Sequence, residues 1–202
     1  ILLLLHGLEG TIRSHYIQGL LREASERGWG AGVLIFRSCG DEMNRNARLY
    51  HSGETGDLDI VIRHFEDSFP NSALLLAGAS LGGNVLLKYL GELGSAVTKR
   101  IKGAVAVSVP FDLVRSSRYI DQGFSRVYQM NFLRSLRRKA IVKLDSFPGI
   151  ASRDAVLAAH TIWEFDDCFT APVHGFRDAG DYYKQSSSLG WLSRISIKPL
   201  LL

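Results

Sequence analysis

ALLLAGASLGGNVLLKY, residues 73–89, is the segment of this sequence with the clearest structural signature. Its first five residues are apolar, a Gly-Ala-Ser-Leu-Gly-Gly sequence follows, and apolar residues at helical spacing complete it. This order predicts a buried strand, a very tight turn with Ser80 at its apex, and then a helix. The glycines two positions before and after Ser80 suit a strained turn whose neighbours leave no room for side chains.

Ser80 is the candidate catalytic nucleophile. A G-x-S-x-G turn between a strand and a helix holds its serine hydroxyl clear of the sheet, where the helix dipole favours developing negative charge. The same motif also occurs in ordinary Gly-rich strand-to-helix turns that carry no chemistry. The apolar strand before Ser80 and the amphipathic helix after it favour the nucleophile elbow.

Further strands and helices alternate on both sides of this segment. Continuous apolar runs predict strands at residues 1–5, 32–36 and 104–109, and helical periodicity predicts helices at residues 14–27, 58–69 and 81–93. Short alternation of this kind is typical of an α/β fold with a mostly parallel sheet and helices on both faces.

The alternation stops after Pro110. Residues 111–190 are predicted to be helices and loops that are unusually rich in aromatic side chains. We therefore predict a core at residues 1–110, a helical cap insertion at residues 111–190 near the carboxyl edge of the sheet, and a returning core strand within residues 191–202. Because both ends of the sequence fall inside predicted strands, we expect the domain to be incomplete at both termini.

The cap insertion contains a basic amphipathic helix that begins with FLRSLRRK at residues 132–139. Its charges fit two interpretations, a solvated basic face on a packed helix or a surface that meets anionic lipid headgroups.

Composition excludes several classes of protein. The 202 residues carry a net charge of only +4, too small to indicate a nucleic-acid partner. The two cysteines, Cys39 and Cys168, are too few for a disulfide framework. No apolar run approaches the roughly 18 residues of a membrane span. No cluster with metal-ligand spacing and no phosphate-binding loop motif is present, so we predict neither a metal nor a cofactor.

The sequence resembles the α/β-hydrolases, and among them the YheT-like group, which includes esterases and lipases that act on acyl glycerols and phospholipids. It departs from the group's pattern at RSCGDEMN, residues 37–44, where Gly is expected after the Arg and Gly-Glu-Pro-Asn at the end. The motifs that carry the resemblance are HGLEG (6–10) with His15-Tyr16, RLYHSGETGDL (48–58), GASLGGN (78–84), FDD (165–167), TAP (170–172), HGF (174–176) and DYY (181–183).

This resemblance implies hydrolysis of a carboxylic ester through an acyl-Ser80 intermediate. The backbone amides of Leu8 and Leu81 are the implied oxyanion hole. A serine of this kind needs a histidine base that is oriented by an acid, and in this fold the chain order is Ser, acid, His. The resemblance places the acid after a strand that starts at Ile195 and the histidine later still, both beyond Leu202.

Other titratable residues are weaker candidates for the triad. His6 fits a loop-orienting residue better than a base, and Asp112 is an alternative acid. The remaining histidines fall in the cap insertion (His160, His174) or are expected on the surface or in loops (His15, His51, His64).

The aromatic cap favours an ester with an apolar acyl chain as the substrate, such as an acyl glycerol, a phospholipid-like ester or a short-chain ester. Two alternatives stay open: an acyltransferase that uses the same acyl-enzyme, and a non-catalytic lipid-binding or scaffold relative. The expected partners are a small-molecule ester or lipid, with peripheral membrane contact through the cap.

Overall fold

A computed structural model describes all of residues 1–202, which group into two units. The core unit comprises Ile1–Phe36, Ser52–Phe111 and Ser187–Leu202. The helical unit comprises Arg37–His51 and Asp112–Ser186, so that residues 37–51 group with the predicted insertion.

The core unit is built around one five-stranded sheet in which every pair of neighbours is parallel. The strand order is β2-β1-β3-β4-β5. The elements in chain order are β1 (Leu2–Leu5), α1 (His15–Glu26), β2 (Ala31–Leu34), α2 (Thr55–Ser68), β3 (Leu74–Ala79), α3 (Leu81–Leu93), a 3-10 turn (Gly94–Ala96), β4 (Ile101–Val107), a second 3-10 segment (Leu189–Arg194) and β5 (Leu200–Leu201). The predicted parallel α/β sheet is therefore confirmed.

Burial explains why the central elements are apolar along their whole length. Leu3, Leu4 and Leu5 of β1 are at most 1 % exposed, as expected for a strand that is covered on both faces. The helix α3 is buried from Leu81 to Gly91, which accounts for its nearly continuous apolar sequence.

The strands β2, β4 and β5 differ from the prediction at their ends. β2 stops at Leu34, two residues early. β4 stops at Val107, two residues early, because Ser108 takes a left-handed backbone conformation with φ of 51°. β5 begins at Leu200 and not at Ile195. Pro199 has no N–H to donate to a strand ladder, so pairing with β4 starts only after it.

The helical unit contains short helices around one long one. Its elements are α4 (Leu113–Ile120), α5 (Ser125–Ser146), α6 (Arg153–Ala158), α7 (Ile162–Phe165), a π-helical turn (Asp166–Thr170), α8 (Ala171–His174) and α9 (Ala179–Ser186). The start of α7 has a capping box in which Thr161 and Glu164 bond each other's backbone N–H. None of the helices of the chain combines the length and the apolar character that a membrane crossing requires.

The segment at residues 37–51 is fastened to α5. The buried Lys143 amine donates to the carbonyl oxygens of Asn44 and Asn46, the latter at 2.7 Å. Ser38 and Asn44 close the loop through a side-chain hydrogen bond of 2.6 Å. The departure from the group's pattern at residues 37–44 thus lies in a loop that the long helix holds in place.

Candidate active site

The turn at Ser80 has the backbone that the sequence predicts for a strained strand-to-helix connection. Ser80 has φ of 50° and ψ of −119°, and α3 begins at the next residue. Its amide donates to the Val107 carbonyl of β4 at 2.8 Å, and its carbonyl accepts from Asn84 at 3.0 Å. A non-glycine residue in such a conformation costs about 1–3 kcal/mol and persists only where the surroundings enforce it.

The glycines around Ser80 are required by close backbone contacts. A Cβ added to Gly78 would lie 2.5 Å from the Gly82 carbonyl oxygen, and one added to Gly82 would lie 2.5 Å from the His6 carbonyl oxygen. A Cβ on Gly83 would lie 2.6 Å from Cγ2 of Val109. These distances leave no space for a methyl group, so the turn packs directly on β1 and β4.

The strand order brings the loop after β1 beside Ser80. The chain adds β2 on one side of β1 and β3 on the other, so the sheet has a topological switch point between β1 and β3. Ligands of open α/β sheets bind outside the carboxyl ends of the strands at such a point. The contact is direct, because a Cβ built on Gly7 would lie 3.3 Å from Cβ of Ser80.

His6 orients this loop through both ring nitrogens. The Phe36 N–H donates to its Nε2 at 3.1 Å, so Nδ1 carries the hydrogen and donates to the Gly7 carbonyl oxygen at 2.8 Å. The ring is fully buried. This arrangement supports the interpretation of His6 as a loop-orienting residue and leaves it unsuited to take a proton from a substrate.

Two backbone amides at this end of the sheet are available to a ligand. Leu81 is the first residue of α3, so its N–H has no acceptor within the helix, and it lies at the positive end of the helix dipole. The Leu8 amide, in the loop after β1, also has no hydrogen-bond partner within the chain. Ser80 itself is half-buried.

Asn84 anchors the first turn of α3 and is a positioning residue that sequence reasoning did not assign. Its side chain is fully buried, donates to the Ser52 carbonyl at 2.7 Å and accepts from the Ser188 amide at 2.9 Å. Both partners lie far away in the sequence, so only its place in the GASLGGN motif hinted at a role.

The titratable candidates of the core unit do not supply an evident base. His15 and His64 are exposed residues on α1 and α2. No group of three or more His, Cys, Asp or Glu side chains is arranged to hold a metal ion.

Within the helical unit, the motif residues have structural contacts. Asp166 is buried and accepts hydrogen bonds from the hydroxyls of Thr170 and Tyr183, each at 2.6 Å, and burial raises its pKa to about 6. The FDD, TAP and DYY motifs therefore meet in one network. Asp112 caps α4 by accepting from the Arg115 amide at 3.1 Å.

The histidines of the helical unit are also engaged within it or exposed. His174 Nδ1 donates to the Thr170 carbonyl oxygen at 2.8 Å, and its ring packs 4.8 Å from that of His51. His51 also packs edge-on against Phe176 and Tyr182. His160 is exposed. The RLYHSGETGDL, HGF and DYY motifs thus share one ring cluster.

A parallel sheet with a positive-φ serine at its switch point is the arrangement of an α/β-hydrolase, and comparison with known families agrees. Residues 1–193 match the family described as the alpha/beta hydrolase fold. The chain belongs to this family, so the predicted fold class is confirmed.

The relatives support the YheT-like resemblance. The chain is 41 % identical over 203 residues to the putative esterase YheT of Escherichia coli, covering 100 % of this chain and 59 % of that protein. It is 31 % identical over 202 residues to phospholipase ABHD3 of Mus musculus, covering 100 % of this chain and 49 % of the relative. The chain therefore spans about half the length of the curated relatives it matches.

A solved structure shows the same fold. Esterase Pf2001 of Pyrococcus furiosus superposes with a TM-score of 0.50 at 20 % identity, over 74 % of this chain and 54 % of that one.

Proposed function

We propose that this chain carries the nucleophile and the oxyanion hole of a serine hydrolase that cleaves carboxylic esters. The observation that carries the proposal is Ser80 itself, held at positive φ at the switch point of the sheet and in contact with the loop after β1. The names of the relatives, an esterase and a phospholipase, support an ester or a phospholipid as the substrate. The resemblance adds acyl glycerols and short-chain esters to the substrates we propose.

In the proposed reaction, the Ser80 hydroxyl oxygen attacks the ester carbonyl carbon while its proton passes to a base. The carbonyl oxygen becomes negative and accepts hydrogen bonds from the amides of Leu8 and Leu81, each of which is worth about 10²–10³ in rate. The C–O bond to the alcohol then breaks, the alcohol leaves with the proton, and water hydrolyses acyl-Ser80. We place the histidine base and its acid beyond residue 202, as the resemblance implies.

Covalent labelling tests the nucleophile. A fluorophosphonate should react with the intact protein at Ser80, forming a P–O bond and releasing fluoride, and Ser80→Ala should abolish both labelling and esterase activity. Ser108→Ala is a matched control, because Ser108 also follows a strand at positive φ, 51°, but its amide is bonded to the Leu202 carbonyl and no helix follows at once.

Three outcomes separate the alternatives. Labelling that survives Ser80→Ala would refute the assignment. An intact protein that neither labels nor hydrolyses esters would favour the non-catalytic lipid-binding relative. Preferential transfer of the acyl group to an added alcohol over water would favour the acyltransferase, which shares the acyl-enzyme.

A second proposal concerns the membrane contact expected of the cap. Only part of the basic run that begins at residue 132 faces solvent, since Arg137 donates to the Ala159 carbonyl and Lys143 is buried. The exposed aromatic side chains lie earlier in the helical unit, where Tyr119, Phe124 and Tyr128 are 72 %, 77 % and 58 % exposed.

These three aromatics and two arginines form what we call the aromatic–arginine face, defined as Arg115, Arg118, Tyr119, Phe124 and Tyr128. Arg115, Tyr119 and Tyr128 line one groove of about 590 Å³, and the rings of Phe124 and Tyr128 lie 6.2 Å apart. Arg115 pairs with Asp112 at 3.3 Å, whereas Arg118 is exposed and makes no ion pair.

The positive charge near the aromatic–arginine face favours an anionic partner. The part of the chain that supplies this face is basic: residues 112–139 contain seven basic and two acidic side chains, a net charge of +5. Some of these charges lie elsewhere, since Arg126 pairs with Asp121, and Arg134 and Arg137 line a separate groove. Exposed aromatics beside such an excess of positive charge fit an anionic lipid surface, into which the rings insert while the arginines meet the headgroups.

Vesicle sedimentation tests the membrane proposal. The intact protein should bind phosphatidylcholine vesicles that contain phosphatidylglycerol better than pure phosphatidylcholine, and added salt should weaken the binding. Phe124→Ser should lower the partition coefficient by about 10-fold or more, since burying an aromatic ring contributes roughly 1.5–3 kcal/mol and each 1.4 kcal/mol is a factor of ten. Leu157→Ser, which removes another exposed apolar side chain of the same unit, is the control and should have no effect. Equal losses for both variants, or no preference for the anionic lipid, would overturn the proposal.

A further inference from the structure

Tyr16 lies near Ser80, and it has no role in the proposed triad or in the core of the fold. It is the second residue of α1, its side chain is 43 % exposed, and its hydroxyl oxygen accepts a hydrogen bond from the Gly7 N–H at 2.8 Å. A Cβ built on Gly7 would lie 3.6 Å from this oxygen and 3.3 Å from Cβ of Ser80. The phenol oxygen and Ser80 therefore face the same small space over Gly7.

The hydroxyl hydrogen of Tyr16 is available for donation to a ligand. A tyrosine hydroxyl has one hydrogen to donate and can accept through its lone pairs. The Gly7 amide uses the accepting side, and no acceptor within the chain takes the hydrogen. Because Gly7 donates to Tyr16, its own N–H is withdrawn from a ligand, and the next amide, that of Leu8, is the one that remains.

We propose that Tyr16 is a third donor to the oxyanion: its O–H donates to the ester carbonyl oxygen as negative charge develops there, beside the amides of Leu8 and Leu81. This inference rests on the proposed function, because it assigns a further catalytic group to the same site. A phenol donor is well suited to the task, since a hydrogen bond from an acidic O–H to a charged oxygen is short and strong.

Steady-state kinetics on a soluble short-chain ester test the donor. Tyr16→Phe should lower kcat about 10²-fold with little change in KM, because the lost interaction is made in the transition state. Tyr89→Phe is the matched control. This variant also removes a hydrogen-bonded tyrosine hydroxyl of the core unit, since the Tyr89 hydroxyl donates to Asp59 at 3.0 Å. Tyr89, however, lies nine residues after Ser80, about 13 Å along α3. Its kcat should be unchanged.

A second measurement separates donation from mere support of the loop. A fluorinated tyrosine at position 16 ionises at a lower pH than tyrosine, and its phenolate still accepts from Gly7 but has no hydrogen to donate. If Tyr16 donates to the oxyanion, kcat falls as the pH rises through the pKa of that phenol, while the same replacement at position 89 leaves the pH profile unchanged. A kcat that stays level through this titration would show that Tyr16 only holds Gly7, and would overturn the proposal.

Different results would refute the proposed function and the proposed role of Tyr16. If Ser80→Ala retains activity, the proposed function itself is wrong. If Ser80→Ala is inactive while Tyr16→Phe keeps the full kcat, the serine assignment stands and the third donor is refuted.

Discussion

Replacing Gly82 by alanine tests how closely α3 approaches β1. A Cβ at this position would lie 2.5 Å from the His6 carbonyl oxygen, 2.6 Å from the Leu5 carbonyl oxygen and 2.7 Å from the Leu5 carbonyl carbon. All three atoms belong to the backbone of β1 or its continuation, so no flexible side chain can move aside. Gly82→Ala must therefore push the helix away from the central strand.

The expected magnitude follows from two opposing terms. Overpacking a close contact costs typically 1–3 kcal/mol, and a clash with backbone lies at the upper end of that range. Alanine recovers about 1 kcal/mol of helix propensity relative to glycine. Gly82→Ala should therefore lower the free energy of unfolding by about 2 kcal/mol, which corresponds to a fall in Tm of about 4–8 °C for a chain of this size.

Gly19 provides the matched control, because it is a helical glycine in α1 with nothing within 4 Å of an added Cβ. Gly19→Ala should raise the free energy of unfolding by about 1 kcal/mol through helix propensity alone. Urea unfolding of the intact protein, followed by circular dichroism and tryptophan fluorescence, measures both variants. If Gly82→Ala is as stable as Gly19→Ala, α3 does not approach β1 as closely as the structure shows. The steric explanation of the glycines in the G-x-S-x-G motif would then be wrong as well.

Two further predictions concern buried charges of the helical unit. Burial raises the pKa of Asp166 to about 6 in the folded state, above the ordinary value near 4, so the free energy of unfolding should fall by up to about 3 kcal/mol as the pH rises from about 4 to about 6 and then stay level. Asp166→Asn should flatten that dependence in urea unfolding at a series of pH values, and an unchanged slope would assign it to another group. Lys143→Met removes the amine that donates to Asn44 and Asn46, so limited proteolysis should cut the segment at residues 37–51 faster, and an unchanged cleavage rate would show that other contacts hold it.

The strained turn explains why the G-x-S-x-G motif is informative in this chain. Ser80 has a strained backbone conformation, and a Cβ added to any of the three surrounding glycines would lie 2.5–2.6 Å from another atom, which is backbone for Gly78 and Gly82 and the Val109 side chain for Gly83. An ordinary Gly-rich turn has no need of three such contacts. This concentration of steric requirements supports a functional reason for the turn.

Local pattern was enough to predict the elements of the core unit. Continuous apolar runs gave β1 and β3, helical periodicity gave α1 and α3, and the Gly-x-Ser-x-Gly spacing gave the tight turn at Ser80. These features depend on the periodicity of apolar side chains and on steric limits between residues that are close in the chain. Both can be read from the sequence alone. The limits of β4 and β5 were less well predicted, because they depend on the φ of Ser108 and on where pairing with a neighbouring strand begins.

Tertiary structure alone decided which distant groups meet. The phenol of Tyr16 lies on Gly7, the two nitrogens of His6 are divided between Phe36 and Gly7, and Asp166 is joined to Tyr183 from 17 residues away. No period or spacing encodes such pairs, because each is set by how elements pack after they have formed. The sequence by itself determined the sheet, the tight turn and the candidate nucleophile, and through the family resemblance it also pointed to the amides of Leu8 and Leu81. Only the packing of loops and helices decided that the Tyr16 hydroxyl meets Gly7 beside Ser80.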